Sequence, residues 1–171
     1  NFSPVQFARK DPHEMIKKIL ELTGFPGNRL ELEITESMLG PDSLNIATTF
    51  EKIQALGVEI AVDDFGTAYS SLSRLKQLPL HTLKIDQSFV RDLGLDADGE
   101  TIVRTIITMA KNLNLNVVAE GVETQRQYDF VKQYGCDEVQ GFLFGQPVPA
   151  DELKDLLSGS AAGLYRAADS Q

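Results

Sequence analysis

The sequence predicts an α/β fold, a parallel sheet curved into a β/α barrel, and three observations carry that prediction. Strand-like and helix-like patterns alternate at least five times, which implies parallel strands joined by crossover helices. The segment Ile60-Ala61-Val62 is apolar throughout, as in strands covered on both faces. Nearly every strand pattern ends in a polar or charged residue: Glu33, Asp63, Lys84 with Asp86, Glu120 and Gln140. In a β/α barrel the C-terminal strand ends open into one shared mouth. An open doubly wound sheet collects ligands only at a switch point, so five contributing strands favour the barrel.

Each element has its own signal. Asp11-Pro12 opens a helix whose Met15, Ile16, Ile19 and Leu22 form the expected inward stripe, and Gly24 closes it. A capping acid, a proline in the first turn and a terminal glycine are the standard boundary marks. Leu30 to Glu36 alternates as a strand. Pro41 starts a second helix, with Leu44, Ala47, Ile53 and Leu56 on one side and Gly57 at its end. The strand Val58 to Val62 then runs into the adjacent acids Asp63 and Asp64, followed by Phe65-Gly66-Thr67. A short helix from about Ser70 to Leu78 stops before Pro79, and Thr82 to Asp86 is the next strand. The pattern predicts a long helix from Gly99 to Leu113 with Ile102, Ile106, Met109 and Leu113 inward. Asn116 to Glu120 reads as a strand, Thr124 caps a helix reaching Tyr134, and a strand follows around Glu138 to Leu143. Asp151 to Leu157 is the last expected helix. One domain over residues 1–157 is expected, with 158–171 a small-residue, polar tail of poor order.

Composition narrows the function classes. The 171 residues carry a formal charge of −9, with 42% hydrophobic and 24% charged residues, ordinary values for a globular chain. The acidic balance argues against a groove for a DNA or RNA polymer. A single cysteine, Cys136, rules out an internal disulfide and fits a reducing compartment. No apolar run reaches the roughly 20 residues that cross a bilayer, and Asn1-Phe2-Ser3-Pro4 lacks the layout of a signal peptide.

The chemistry follows from the acids. Glu33, Asp63, Asp64 and Glu120 converging in one mouth would repel strongly. Either some protonate or cations neutralise them. Oxygen ligands favour hard cations such as Mg²⁺, Mn²⁺ or Ca²⁺. His13 and His81 are the only histidines, so a histidine-rich zinc or iron centre is not expected. An adjacent aspartate pair suits two metals, one aspartate bridging both, which is the usual device for in-line phosphoester hydrolysis. Any one of these residues also has an ordinary role. An acid at a strand end is commonly a helix cap, Lys84 a surface charge, Gln140 a satisfied amide and Glu36 a partner for a nearby cation. Repetition at the same end of successive strands is what favours a site.

The chain resembles the EAL family of cyclic-di-GMP phosphodiesterases. The resemblance rests on Asn1-Phe2-Ser3, Glu33-Ile34-Thr35-Glu36-Ser37, Asp63-Asp64-Phe65-Gly66-Thr67, Lys84-Ile85-Asp86 with Phe89-Val90, Ala119 to Thr124, and Gln140-Gly141-Phe142 with Pro147. It implies a TIM-like (β/α)₈ barrel of the EAL type, here incomplete, with about the last five to six strands and their helices. It implies two Mg²⁺ or Mn²⁺ ions. Asn1, Glu33 and Asp63 would hold the first, and Asp63, Asp64 and Glu120 the second, with Glu120 also the general base. Lys84 would orient the attacking water, and Glu36 would fix the loop after the aspartate pair. Gln140, Glu123 and Asp86 would line the substrate side, with Pro147 near a guanine. The implied reaction opens one 3′–5′ bond of cyclic-di-GMP to give linear pGpG. Implied partners are sensor or diguanylate-cyclase domains in the same bacterial polypeptide and a second copy in a homodimer, and a membrane anchor elsewhere in such a protein is compatible with the resemblance.

Two departures stand out. Ala68 occupies a position where the family usually has glycine, a change that costs about 1 kcal/mol if the site needs positive φ. The sequence also contains no Glu-Ala-Leu, the family signature that should supply a further metal-binding glutamate. The 171 residues are therefore expected to behave as a fragment with little turnover by itself. A non-catalytic cyclic-di-GMP receptor is the alternative; every metal-binding or catalytic position the chain reaches is intact, which favours the enzyme. A protein-interaction module is a third reading, with no exposed apolar signature to demand it.

Overall fold

In a computed structural model, the structure describes residues 1–9, 11–39, 46–68, 72–94 and 97–153. Two short elements open the chain. Phe2 forms a single parallel bridge to Ile34, and helix α1 spans Pro4–Arg9. Helix α2, Pro12–Thr23, starts where Asp11 accepts a hydrogen bond from the His13 amide and ends at Gly24 with φ 66°, a left-handed cap that glycine adopts without a Cβ penalty. Strand β1 is Glu31–Thr35 and α3 is Ile46–Gln54. Next come β2, Glu59–Phe65, and α4, Leu72–Gln77. Strand β3, Thr82–Ile85, leads into the short α5, Gln87–Arg91, then α6, Ala97–Asn112. Strand β4 is Asn116–Glu120, α7 is Gln125–Gln133 and β5 is Glu138–Gln140. The expected Pro41 helix start, the Leu44 position and everything from 154 onward lie outside the described residues.

Among the described residues the strands form one sheet in the order β1-β2-β3-β4-β5, every neighbouring pair parallel. This is α/β architecture with helical crossovers, an incomplete TIM-like barrel. Register divides the sheet into two faces, because side chains alternate along a strand. One face carries Leu32 and Ile34, Ile60 and Val62, Leu83 and Ile85, Val117 and Ala119, all buried in a core with Ile16, Phe50, Leu75, Val90, Ile107 and Val131 from the helices. Full burial of a side chain the size of Phe50 contributes about 1.5–3 kcal/mol. The other face carries Glu31, Glu33, Ala61, Asp63, Thr82, Lys84, Asn116, Glu120 and Gln140, as the pairs Glu33↔Ala61, Ala61↔Thr82, Thr82↔Asn116 and Glu120↔Gln140 show.

Four sequence expectations are corrected. In α2 the inward line is Pro12 and Ile16, with Leu20 packed against the core, whereas Ile19 and Leu22 are 49% and 76% exposed. Leu22 lies about 120° around the helix from Ile16 at 3.6 residues per turn, beyond the strip that faces α3. In α6 the buried residues are Val103, Ile106, Ile107 and Ala110, and Ile102 is 43% exposed. The inward face is rotated by about one residue from the expected one because Val103 and Ile107, not Ile102, face the sheet. Strand β2 does not end at Val62; it continues through both aspartates to Phe65. Strand β5 ends at Gln140 and not at Leu143, because the chain turns there, with the Phe144 amide donating to Gly141 O at 3.1 Å.

Candidate active site

Lys84 is the centre of the polar face. It is 7% exposed, unusual for lysine unless it is paired. Its Nζ lies 2.6 Å from Glu33 Oε1, 2.6 Å from Glu120 Oε1 and 3.4 Å from Asp63 Oδ1. These partners stand on β1, β4 and β2, so one ammonium ties four adjacent strands together at their C-terminal ends. Asp63, Asp64 and Glu120 each place a carboxylate oxygen within 4.8 Å of the others. Two unit charges at about 4 Å still repel by about 4 kcal/mol at an effective dielectric constant of 20. One ammonium cannot balance four acids.

Consecutive residues of a regular strand point to opposite faces, so Asp63 and Asp64 should not both reach the mouth. The backbone solves this with an irregularity. The β2–β3 register shifts between Val62 and Phe65, and Asp64 takes φ 54°, a left-handed conformation that aspartate tolerates better than most side chains. A bulge of this kind re-aims a side chain. Asp64 O then accepts from Thr67 Oγ1 at 2.8 Å, which turns the chain away.

Two carboxamide or carboxylate groups brace the loops that follow. Glu36, 3% exposed, accepts from the amides of Gly66 (2.9 Å) and Ala68 (3.0 Å) through Oε2. Positive φ among non-glycine residues is confined to Asp64 and Asn114 in the described part, so Ala68 sits in ordinary backbone and carries no strain. On the other side, Gln127 Oε1 accepts from the amides of Glu123 (2.8 Å) and Thr124 (2.9 Å), while Thr124 Oγ1 accepts from the Gln127 amide at 3.3 Å. This capping box holds the segment after Glu120. Beyond it, the Val122 amide donates to Gln140 O, and a Cβ on Gly141 would lie 2.1 Å from Val122 O, so glycine alone fits there. Gln127 was not singled out from the sequence, although Thr-x-x-Gln ahead of a helix is a readable box; Gly141 was named only within the Gln140-Gly141-Phe142 motif.

Proton affinities follow from the crowding. Burial pushes the Asp64 carboxyl up, and the charges of Asp63 and Asp86 push it the same way. Burial also raises Glu120, against the pull of Lys84. Burial opposes the charge on Lys84, but Glu120 and Glu33 outweigh it and hold the ammonium well above the usual lysine range. Asp86 is also buried in part, yet hydrogen bonds from Ser88 hold its carboxyl below the usual range.

The remaining predicted residues are more dispersed. Asp86 follows β3 directly, caps α5 by accepting from the Ser88 amide at 2.9 Å, and lies beside Asp64. Asn1 is exposed and adjoins Phe2, whose amide donates to Glu33 O at 2.8 Å. Gln140 is exposed at the end of β5, paired in register with Glu120. Glu123 is exposed on the loop after β4, and Pro147 is exposed beyond β5. The structure thus gathers Glu33, Asp63, Asp64, Lys84, Glu120 and Asp86, and leaves Asn1, Glu123, Gln140 and Pro147 exposed outside that cluster.

The donor set is all oxygen, and two of its acids are driven toward their neutral forms in the absence of added positive charge. A hard divalent cation fits that arrangement, relieving the repulsion at the place where it is greatest. A cation pair beside a fixed ammonium suits reactions in which charge builds up on a phosphoryl group.

The EAL domain family matches residues 1–147. The chain is 42% identical over 153 residues to MucR of Pseudomonas aeruginosa, named a bifunctional diguanylate cyclase/cyclic di-GMP phosphodiesterase; the match covers 90% of this chain and 22% of that protein. The chain therefore spans only about a fifth of the length of such curated relatives. Among solved structures, the PaMucR phosphodiesterase in complex with c-di-GMP superposes with a TM-score of 0.86 at 42% identity, over 90% of this chain and 62% of that one. A manganese/cyclic-di-GMP complex of Klebsiella pneumoniae BlrP1 superposes with a TM-score of 0.74 at 28% identity, over 82% and 36%.

Proposed function

Because this chain belongs to the EAL-domain family, we propose that it hydrolyses cyclic-di-GMP to linear pGpG with the help of two divalent cations, Mg²⁺ or Mn²⁺. The observation that carries the reading is the meeting of Asp63, Asp64 and Glu120 within 4.8 Å, beside a Lys84 held by Glu33 and Glu120. Asn1, Glu33 and Asp63 would hold one cation, and Asp63, Asp64 and Glu120 the other. Bound there, the cations supply positive charge and acidify water. The relatives' names support the substrate, and the complexes with manganese support the metal.

The chain's own residues do the rest. Glu120, whose proton affinity is raised by burial, takes the proton from the attacking water; a base performs best when its affinity is tuned toward the operating pH. The oxygen of that water bonds to phosphorus, and the ribose 3′-oxygen departs. Lys84 stays protonated and stabilises charge on the non-bridging phosphate oxygens. Glu36 holds the Gly66 and Ala68 amides, and so the turn after the aspartate pair. Glu123, Gln140, Asp86 and Pro147 border the approach to the base and sugar. In the native polypeptide the chain works in the cytoplasm, joined to sensor or diguanylate-cyclase domains and paired with a second copy.

The test uses the polypeptide that carries this chain, cyclic-di-GMP and Mn²⁺, with products separated by chromatography. The expected product is pGpG, absent with a chelator. Glu120→Gln should retain binding while cleavage falls by about 10²–10⁴, the usual contribution of a general base. Tight binding by the wild type without any cleavage would support a receptor instead.

A further inference from the structure

Three acids that repel one another stay at a fixed distance when the loops bearing them are held in place from outside. Asp63 and Asp64 ride on β2, Glu120 on β4, and β3 lies between the two. Helix α5 follows β3, so it sits between the loops that leave β2 and β4. It touches both. A Cβ on Gly66, which has φ 102°, would lie 2.6 Å from Cε2 and 2.9 Å from Cζ of Phe89. A Cβ on Gly121, which has φ 70°, would lie 2.6 Å from Cβ of Gln87. A side chain at either glycine would force its α5 neighbour to shift, and the positive φ at both positions favours glycine as well. Each of these glycines is within three residues of a proposed metal ligand: Gly66 after Asp63 and Asp64, Gly121 directly after Glu120.

The helix is itself anchored. Asp86 caps it through the Ser88 amide, and the Phe89 amide donates to Asp86 O at 3.1 Å. Val90 is fully buried, while Phe89 packs on the core. Gly66 is therefore caught between the Glu36 carboxylate, which accepts from its amide, and the Phe89 ring on another side. Gly121 has Gln87 on one flank, the Val122 amide bonded to Gln140 O directly after it, and the Gln127 cap two to three residues further on.

We infer that α5 is the spacer of the metal site, with Phe89 and Gln87 as positioning residues that set the separation between the Asp63-Asp64 pair and Glu120. They act through the glycine loops they press against. Close contact, not chemistry, is the working property, so bulk at position 89 matters more than aromaticity. The inference rests on the proposed two-cation site.

The experiment compares wild type, Phe89→Ala and Phe89→Leu, measuring Mn²⁺ affinity by calorimetry without substrate, then kcat and KM for cyclic-di-GMP, and Tm. Phe89→Ala should bind Mn²⁺ about 10-fold more weakly or worse, as with other residues that orient ligands. kcat and kcat/KM should fall together with KM little changed, and Phe89→Leu should recover most of both. A lowered Tm with wild-type Mn²⁺ affinity would overturn the spacer role and leave the active-site reading standing. Wild type that binds no Mn²⁺ would overturn both. Should Phe89→Ala fail to fold, Gln87→Gly loosens the opposite contact from an exposed position, and the same loss of Mn²⁺ affinity is expected there; unchanged affinity would again overturn the role.

Discussion

Lys84 makes ion pairs with three acids on three different strands, and its burial leaves it dependent on them. Removing one member of such a group strands the others. Lys84→Met should therefore cost the cation-free chain about 3–5 kcal/mol, read by denaturant unfolding. Mn²⁺ should restore part of that loss, because a bound cation supplies the missing charge; a variant as stable as wild type without metal would contradict the arrangement. The identity of these residues was legible because the acids recur at strand ends. The conformation of Asp64 was not. Alternation alone sends Asp63 and Asp64 to opposite faces, and only the bulge and the left-handed φ bring both to the mouth. No local pattern in Asp-Asp-Phe-Gly announces a bulge before the glycine. Ala68 is the converse case: a departure from the family pattern that the backbone absorbs at an ordinary φ.

Among elements, strands read more easily than helix faces. A strand's period of two allows few mistakes once the polar and apolar positions are assigned. A helix stripe is about 100° wide, so Ile19, Leu22 and Ile102 could be grouped with the core by spacing and still face solvent. The five-residue α5 was missed because it is too short to show a period, although Asp86 ahead of Ser88 is a capping signal. Pairing between elements was equally hidden. Asp137, just before β5, accepts from the Val117 amide of β4 at 2.7 Å and pairs with Lys111 at the end of α6. Partial burial pushes its carboxyl up, but the hydrogen bonds from Lys111 and Val117 prevail and hold it below the ordinary value of 3.8. A carboxylate held low binds fewer protons in the folded state than in the unfolded one, so its contribution is present above pH 3.8 and disappears as the pH falls through the lower folded value. Asp137→Asn should thus lower Tm at neutral pH, and the gap to wild type should close in strong acid. A gap that is the same at both pH values would show that the charge of Asp137 contributes nothing.

At the scale of the molecule, the sheet separates two tasks. Its helix-covered face supplies the apolar core, and the opposite face gathers charge at one end, so stability and chemistry are drawn from alternate residues of the same strands. That division explains why the fold class was readable from alternation and strand ends, while the site's fine geometry depended on braces from Glu36, Gln127 and α5 that only the topology brings to the acids. It also makes the central claim open to direct sight. Crystals of the polypeptide that carries this chain, soaked in Mn²⁺ and measured at the manganese absorption edge, should show two anomalous peaks, both contacting Asp63, with Asp64 and Glu120 on one of them and Glu33 on the other. A map with no manganese peak beside Asp63, at concentrations that fill other divalent sites, would contradict the account.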